Sequence, residues 1–443
     1  MSDFRYVAFD DIFATTKELY AYALHKCESG NQEDAIKLAN EIRDYQEHLL
    51  NGVEKSSNLS DPVDKLLNYR DIRNACSPTG FHYCPLDNEN FPNKLAGAVI
   101  GRLAGCILGV PVESWHPEDI CSMAEQFGDD FPPSDYWTKV YYPDRSLHHG
   151  FAQRKDYSKE FMKCAPPDDD IGYTILDLLV IEKYGFDFTT EDIASVWMEK
   201  LPFAHSAEKV ALANIHNHLP IDQVGSVHNP YVEWIGGSIR SDGWAWVCAG
   251  HPDKAAEFAW RDACLTHRQN GIYGEMFFAA VEAAAFVESS FEKIIEIGLS
   301  AIPYNCLLSQ DVRWAVENKN FVHTWQDAVR LVSKRFAGMS RVHARNNACL
   351  VIFGLYLGDK DFDKTIGNIV AMGYDNDCNA ATAGSILGAM IGLSGIDKKW
   401  YKPFNGQLSS YIVGEENIRI DDFIKRYYDQ SEKYRRSLNL LNL

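Results

Sequence analysis

Two stretches of the chain carry a glycine at every fourth position, and they restrict the possible fold more than any other feature. The glycines are Gly97, Gly101, Gly105 and Gly109 in the first stretch and Gly384, Gly388 and Gly392 in the second. Each stretch is otherwise rich in apolar or small residues with helical spacing. A glycine inside a helix costs about 1 kcal/mol relative to alanine, so such a row needs a compensating interaction. Close approach of another helix along a flat ridge would provide it. We therefore expect two smooth-faced helices, far apart in sequence, to pack together at the centre of the fold.

Most of the remaining chain shows the apolar spacing of amphipathic helices. The helices predicted between the glycine stretches are 173–184, 191–200, 252–264, 274–287, 291–301, 324–336, 346–357 and 365–372. The best strand patterns are short and lie at 244–248 and 139–142. The predicted fold class is all-α, a large helical bundle.

Changes in composition divide the chain into three predicted parts. Residues 1–93 form a helical extension, which includes a polar linker or turn at 51–61 and a short helix near 62–74. Residues 94–396 form the main domain, and residues 397–443 a helical tail that packs on it. The extension either packs against the main domain or serves as a partner or dimerisation module. The charged residues of the tail are interpreted as a solvated face.

The charge of the chain argues against one class of function. With 43 Lys and Arg against 62 Asp and Glu, the formal net charge is −19. Nonspecific binding to nucleic acid or to an anionic membrane needs a basic surface instead. The uncharged stretch 378–396 could be weighed as a membrane span, but its small residues favour a buried core helix. The acidic N-terminus lacks the regions of a secretory signal, and we expect a cytoplasmic protein.

The cysteines and histidines do not predict a zinc site. The eleven cysteines include no Cys-x-x-Cys pair, and most have the apolar neighbours of reduced core residues. His148 with His149, and His216 with His218, are isolated from other ligand residues and are interpreted as surface residues.

Two acidic clusters each precede a predicted helix. Asp168, Asp169 and Asp170 stand before one helix, and Asp375 and Asp377 stand before the second glycine stretch. One aspartate at such a place would cap the helix and complement its dipole. Adjacent carboxylates repel one another, however, and favour a bound cation. Oxygen ligands without Cys–His pairs select Mg²⁺, Mn²⁺ or Ca²⁺ over zinc. Either cluster alone is explained as well by capping, but together they predict a metal centre.

At these residues the chain resembles the ADP-ribosylglycohydrolase family, which includes dinitrogenase reductase-activating glycohydrolases and ADP-ribosyl-acceptor hydrolases. The resemblance covers about residues 95–395, with the signature motifs in the family's order. The family's Gly-x3-Gly-Asp-x2-Gly-x3-Glu helix matches 101–113, its Thr-Asp-Asp-Thr motif matches 168–171, its late Asp-x-Asp-Thr motif matches 375–378, a Gly-rich segment matches 236–240, and a Ser-His step matches Thr266-His267.

The resemblance implies an orthogonal helical bundle that holds two divalent cations, Mg²⁺ or Mn²⁺, at its centre. The implied metal ligands are Asp168, Asp169, Asp170, Asp375, Asp377 and Cys378. The implied catalytic residues are Glu113, Asp169 and Asp377, with Glu113 beside the metals as an acid/base or a gate. Gly237, Ser238 and His267 are implied to approach the diphosphate or nucleoside part of the substrate.

Four positions depart from the family's motifs. Cys106 stands where the family often has aspartate, Asp168 and Cys378 stand where it has threonines, and Ile171 removes a hydroxyl group. Asp168 adds negative charge that could tighten metal binding. A buried cysteine is a poor ligand for a hard metal, so Cys378 either fills the hydroxyl's space or weakens one of the two metal sites.

The resulting hypothesis is a metal-dependent hydrolase that cleaves a ribosyl glycosidic bond in ADP-ribosylated protein or a small ADP-ribosyl compound. The metals would hold the ribose 2′ and 3′ oxygens while an oriented water attacks C1′, through an oxocarbenium-like transition state. One alternative is a nucleoside N-ribohydrolase. The other is a non-catalytic ADP-ribose-binding or structural protein, to which Ile171 and Cys378 would point. We expect no nucleic-acid or membrane partner.

Overall fold

A computed structural model describes residues 19, 21, 23, 25–56, 67–77 and 86–441, and most of these are helical. The helices, labelled in chain order, are α1 (Gln32–Ser56), α2 (Tyr69–Asn74), α3 (Phe91–Gly109), α4 (Pro117–Phe127), α5 (Asp169–Tyr184), α6 (Thr190–Lys200), α7 (Ser206–His216), α8 (Ile221–Val224), α9 (Ser241–Val247), α10 (Pro252–Thr266), α11 (Asn270–Ala285), α12 (Phe291–Ala301), α13 (Leu307–Asn318), α14 (Trp325–Arg335), α15 (Ala344–Gly358), α16 (Phe362–Ala371), α17 (Asn376–Ile391) and α18 (Ile420–Leu441). The all-α prediction is confirmed. Each helix predicted between the glycine stretches is present, with its ends shifted by about one turn or less.

Contacts along the chain divide it into two compact units, Met1–Ser60 and Asp61–Leu443. In the first unit, α1 continues to Ser56, so the predicted linker at 51–61 is wrong for residues 51–56. Polar residues do not by themselves end a helix, since the backbone hydrogen bonds are made within it. Residues 57–61 lie outside the described part of the chain. The domain boundaries at residues 93 and 396 stay a prediction.

The two glycine stretches form α3 and α17, which pack against each other in the second unit. A Cβ atom on Gly97 would lie 2.3 Å from the carbonyl oxygen of Gly388, and one on Gly101 would lie 2.0 Å from that of Gly384. Residues nearer the C-terminus of α3 therefore contact residues nearer the N-terminus of α17, so the two helices are antiparallel. The prediction of two glycine-ridged helices in close contact is confirmed.

Both central helices are deeply buried. Residues 376–389 of α17 are all buried, which confirms the interpretation of this stretch as a core helix. Among the described residues, the helix over Phe91–Val112 is long and apolar enough to cross a membrane, and its most apolar window lies wholly inside the protein.

The two strand predictions are wrong. Residues 244–247 belong to helix α9, and residues 139–142 form no strand. Trp244 packs on Phe188, and Trp246 packs on Tyr427, with ring centroids 4.9 Å apart in each pair. Aromatic residues favour strands mainly through burial against neighbours, and here a helix buried on two sides provides that burial.

The described strands form two short antiparallel hairpins. They are β1 (Ser146–Leu147) with β2 (Ala152–Gln153), and β3 (Gln407–Ser409) with β4 (Asn417–Arg419).

The C-terminal helix α18 packs against the helices that support the acidic clusters. The buried Tyr427 donates a hydrogen bond from its hydroxyl group to the carbonyl oxygen of Thr174 in α5. On the same helix, Arg426 forms ion pairs with Glu182 at 2.7 Å and with Glu415 at 2.9 Å. Helix α18 therefore stabilises α5, whose first turn carries Asp169 and Asp170.

Candidate metal centre

The first acidic cluster lies at the N-terminus of α5. Asp168 caps this helix, because its carboxylate accepts a hydrogen bond from the backbone N–H of Asp170 at 2.9 Å. The capping interpretation therefore holds for this one acid. Asp170 is fully buried, whereas Asp169 reaches solvent in part.

The second acidic cluster lies at the start of α17 and does not cap it. Asp375 precedes the helix without a side-chain capping bond. Asp375 and Asp377 are 5% and 3% exposed, and among the described residues the Oδ1 atom of each has no hydrogen-bond partner. A buried carboxylate oxygen without a partner is costly. Helix capping does not explain these acids, whereas a bound cation would satisfy them.

The two clusters meet where α3 ends, and they fit a metal site. Four groups of side chains each bring their ligand atoms within 4.8 Å of one another: Glu113 with Asp375 and Asp377; Asp170 with Asp377 and Cys378; Cys106 with Asp168 and Asp170; and His148 with Asp168 and Asp169. Shared residues join the groups into one cluster. It contains every predicted metal ligand and the predicted catalytic Glu113. The buried acidic groups can therefore hold a divalent cation, and their oxygen donors suit Mg²⁺ or Mn²⁺.

The crowding of buried carboxyl groups raises their pKa values. Burial and the neighbouring Asp169 raise the pKa of Asp168 to about 8. Burial and the negative charge of Glu113 likewise raise the pKa of Asp377 well above its usual range. Although Glu113 itself reaches solvent, the dense surroundings of its carboxyl group and the nearby Asp375 raise its pKa to about 8. Without a cation, protons would have to neutralise part of this charge.

The fully buried Arg102 connects the cluster to the rest of the core, and the sequence did not single it out. Its guanidinium group forms ion pairs with Asp170 at 2.9 Å and with Asp242 at 2.6 Å. It also donates hydrogen bonds to the carbonyl oxygens of Asp170 and Ile239. Arg102 thus joins α3, the start of α5 and the segment before α9. Arg102 directly follows Gly101 in an apolar helix. A charged residue at such a place needs buried partners, so the sequence could have indicated this role.

The interpretation of His148 as a surface residue is wrong. Its side chain is 11% exposed, and Nε2 lies 3.3 Å from Oδ2 of Asp168. Burial, with a smaller opposing effect of Asp169, lowers the pKa of His148 to about 4, so the ring is neutral and can act as a ligand. The short β1–β2 hairpin carries His148 to the cluster, and no sequence pattern indicated that. His149, His216 and His218 are exposed as predicted.

The predicted substrate-binding residues lie deeper than their implied role suggests. His267 is fully buried, its Nε2 atom accepts a hydrogen bond from Gly237 N–H at 3.2 Å, and its Nδ1 atom lies 2.6 Å from the Thr266 hydroxyl. Ser238 is 2% exposed. Close packing requires the glycine, since a Cβ atom on Gly237 would lie 2.9 Å from the carbonyl oxygen of Gly271. Contact of these three residues with substrate stays a prediction.

A second buried arginine holds this glycine-rich segment in place. Arg240 forms ion pairs with Glu208 at 2.9 Å, with Asp262 at 2.8 Å and with Glu275 at 3.2 Å. These partners lie on α7, α10 and α11. The segment at 235–240 is therefore fixed to three helices, although its sequence resembles a flexible loop.

Two further features lie near residues of the cluster. Phe203 packs on His149 and on the buried Tyr411 at ring-centroid distances of 4.3 and 4.4 Å, next to the half-exposed Phe151. A cavity of about 350 Å³ is lined by residues that include Trp325, Arg341 and Tyr374. Tyr374 directly precedes Asp375, although none of the clustered acids lines the cavity.

Two comparisons with known proteins gave matches. A family model described as ADP-ribosylglycohydrolase matches residues 87–434. The match extends past residue 395, where the sequence resemblance was expected to end, and includes most of α18. A solved structure titled "ADP-ribosylglycohydrolase-related protein complex" is similar to this chain with a TM-score of 0.49 and 17% identity, over 77% of this chain and 99% of that chain. Among curated proteins, none matches.

Proposed function

The chain belongs to the ADP-ribosylglycohydrolase family, and we propose that it is a metal-dependent hydrolase of a ribosyl glycosidic bond. We propose an ADP-ribosylated protein or a small ADP-ribosyl compound as its substrate. One observation supports hydrolysis most: Glu113, Asp375 and Asp377 converge within 4.8 Å, and the two aspartates have buried Oδ1 atoms without partners.

The ligands we propose for two Mg²⁺ or Mn²⁺ ions are the acids of both clusters. Asp168, Asp169 and Asp170 would contribute from α5, and Asp375 and Asp377 would contribute from α17. When bound, the cations would supply the positive charge that holds ribose hydroxyl oxygens and makes a nearby water more acidic. The buried Arg102 would keep Asp170 in place through Oδ1, and Oδ2, which accepts a hydrogen bond from the Cys378 thiol, would serve this role.

Glu113 is the residue we propose to move a proton. It follows the last turn of α3 and is the most exposed acid of the cluster, so it can reach both water and substrate. Its raised pKa keeps the carboxyl group protonated at neutral pH in the metal-free protein. A protonated carboxyl group can donate its proton to the leaving atom as the bond to C1′ breaks. The water that attacks C1′ would lose its proton to Asp169 or Asp377.

The remainder of the substrate has two surfaces available. The half-exposed ring of Phe151, beside Phe203, would stack on a planar base. We also propose that the segment containing Gly237 and Ser238 approaches the diphosphate; because the Gly237 N–H donates to Nε2 of His267, this requires the buried segment to open.

The test is release of ADP-ribose from ADP-ribosyl-arginine and ADP-ribosyl-serine, with a panel of nucleosides in parallel, in Mg²⁺ or Mn²⁺ and then in chelator. We expect release from an ADP-ribosyl compound that stops in chelator and in Asp375→Ala. Asp361→Ala is the matched control, because Asp361 caps α16 outside the cluster. Release that persists in Asp375→Ala would refute the metal role, and cleavage of free nucleosides alone would favour a nucleoside N-ribohydrolase.

A further inference from the structure

A sulfur atom lies among the oxygen donors of the metal centre. The Sγ atom of Cys378 lies 3.1 Å from Oδ2 of Asp170, and the two residues are 7% and 0% exposed. Together with Asp377 they form a group whose ligand atoms lie within 4.8 Å of one another. Bonds of about 2.3 Å from zinc to sulfur and about 2.0–2.2 Å to oxygen place neighbouring donors roughly 3–4 Å apart. In this structure the Cys378 thiol donates a hydrogen bond to Oδ2 of Asp170 across that distance, and the same distance lies in the range for two ligands of one ion.

One carboxylate of this group also has an oxygen atom without a hydrogen-bond partner. Asp377 is 3% exposed, and its Oδ1 atom has no hydrogen-bond partner among the described residues. Arg102 binds Oδ1 of Asp170, which leaves Oδ2 directed at Cys378. One ligand atom each from Asp170, Asp377 and Cys378 thus converges on a position that could hold a cation.

A second position in the same cluster has a different donor set. Glu113, Asp375 and Asp377 provide only carboxylate oxygens. Thiolate ligands select zinc and related borderline metals, whereas carboxylates suit Mg²⁺ and Mn²⁺. Asp377 belongs to both groups and would bridge them.

We propose that the two metal positions take different metals. The position between Asp170, Asp377 and Cys378 binds a borderline divalent metal, Zn²⁺ foremost, through the Cys378 thiolate. The position at Asp375 and Asp377, beside Glu113, binds Mg²⁺ or Mn²⁺. On binding, the thiol proton leaves to solvent, and the sulfur lone pair forms the bond to the metal. This inference rests on the proposed function and narrows it, since it replaces one of the two proposed Mg²⁺ or Mn²⁺ ions by Zn²⁺ at the same site.

Cobalt provides a readout that does not depend on activity. Full-length protein freed of metal with chelator is titrated with Co²⁺, which substitutes for Zn²⁺. We expect a thiolate-to-cobalt charge-transfer band in the near ultraviolet that saturates at one equivalent. Bound Co²⁺ without that band would overturn the proposal.

Three variants locate the sulfur ligand. Cys378→Ser keeps the side-chain size, and it should abolish the band and weaken Zn²⁺ binding at least tenfold, the lower end of the roughly 10–100-fold loss seen when residues that merely support a ligand are replaced. Cys121→Ser, on the surface of α4, should change neither property and controls for adventitious thiols. Cys106→Ser should keep the band. Loss of the band in Cys106→Ser with retention in Cys378→Ser would overturn the assignment to Cys378.

Metal content gives an independent measurement. After dialysis against equal concentrations of Mg²⁺, Mn²⁺ and Zn²⁺, elemental analysis should find one tightly held zinc per wild-type chain and none in Cys378→Ser. Zinc retained by Cys378→Ser, with circular dichroism showing a folded protein, would overturn the proposal; if that variant fails to fold, Cys378→Thr replaces it with the same expectation.

Failure of this inference is separable from failure of the proposed function. A protein that hydrolyses ADP-ribosyl compounds but shows no cobalt–sulfur band refutes the zinc assignment alone. A protein with the band that cleaves no ribosyl compound refutes the proposed function alone.

Discussion

A Cβ atom on Gly109 would lie 2.3 Å from the Cα atom of Asp377, so α3 and α17 touch through their backbones where the second acidic cluster begins. Because the two helices are antiparallel, Glu113 reaches Asp375 and Asp377 one turn beyond this contact. The glycine ridge therefore determines the spacing of the carboxylates. Packing at the centre of the fold and the geometry of the metal centre have the same structural cause.

The first prediction concerns the ridge. Gly101→Ala would place a methyl group 2.0 Å from the carbonyl oxygen of Gly384, where only backbone movement can relieve the clash. Such overpacking costs about 1–3 kcal/mol or more, against about 1 kcal/mol gained in helix propensity. We expect a lower free energy of unfolding in urea and weaker Mn²⁺ binding, because the helices that carry the ligands separate.

Gly172→Ala in α5 is the matched control. Its added Cβ atom would meet only the hydroxyl end of the Tyr411 side chain, at 3.3 Å. We expect stability equal to or above that of the wild type. A Gly101→Ala variant as stable as Gly172→Ala would contradict the packing argument.

The sequence predicted the parts of the site that depend on short motifs. The spacing of the glycines indicated a close helix pair, and the acids before α5 and α17 indicated a metal centre. Both clusters and Glu113 do come together, because helix starts hold acidic residues at defined positions. The helix ends and the strand at 244–248 were less predictable, since the burial of Trp244 and Trp246 depends on α18 and other distant parts of the chain.

The sequence did not indicate the residues whose roles depend on contacts between distant parts of the chain. His148 reaches Asp168 only because a short hairpin places it there, and its neighbours in sequence give no indication of that. Arg102 and Arg240 find their carboxylate partners on several helices, so their role depends on the assembled core. The same physical reason explains why the burial of His267 was not foreseen.

The second prediction concerns stability and pH in chelator. Burial raises the pKa of Asp168 to about 8 and that of Asp377 well above its usual range, whereas an unfolded aspartate titrates near about 3.9. Between these values the folded protein binds protons that the unfolded chain does not, so the stability this confers is present below about pH 4 and is lost as the pH rises through about 8. We expect the melting temperature in chelator to fall from pH 5 to pH 8.

Metal should reverse that trend. Mn²⁺ replaces the protons, binds more tightly as the pH rises and stabilises the folded state by mass action. Melting temperatures in Mn²⁺ that parallel those in chelator across this pH range would show that the acids do not bind the ion.

The third prediction concerns Arg102. Arg102→Met keeps an apolar stem but leaves Asp170 and Asp242 as buried acids without their partner. Breaking a buried ion pair in this way costs about 3–5 kcal/mol. We expect that loss in urea unfolding, measured in chelator. Arg330→Met, which removes the exposed ion pair with Asp327, should cost about 1 kcal/mol or less. Equal losses in the two variants would contradict the role of Arg102 as a connection between core elements.

The last prediction concerns Glu113 as the proton donor. Glu113→Gln keeps the shape of the side chain but cannot donate the proton, and general acid catalysis contributes about 10²–10⁴-fold. We expect kcat to fall in that range with the melting temperature and Mn²⁺ stoichiometry unchanged, while Glu125→Gln on the exposed face of α4 stays fully active. Wild-type activity should decline as the pH rises through the pKa of Glu113. That pKa is about 8 without metal and lower with bound cations, which favour the charged form. The Gln variant should lack this alkaline limb. If the wild type instead gains activity as the pH rises through this range and the variant loses that limb, Glu113 acts as a base and the proposed direction of proton transfer is wrong.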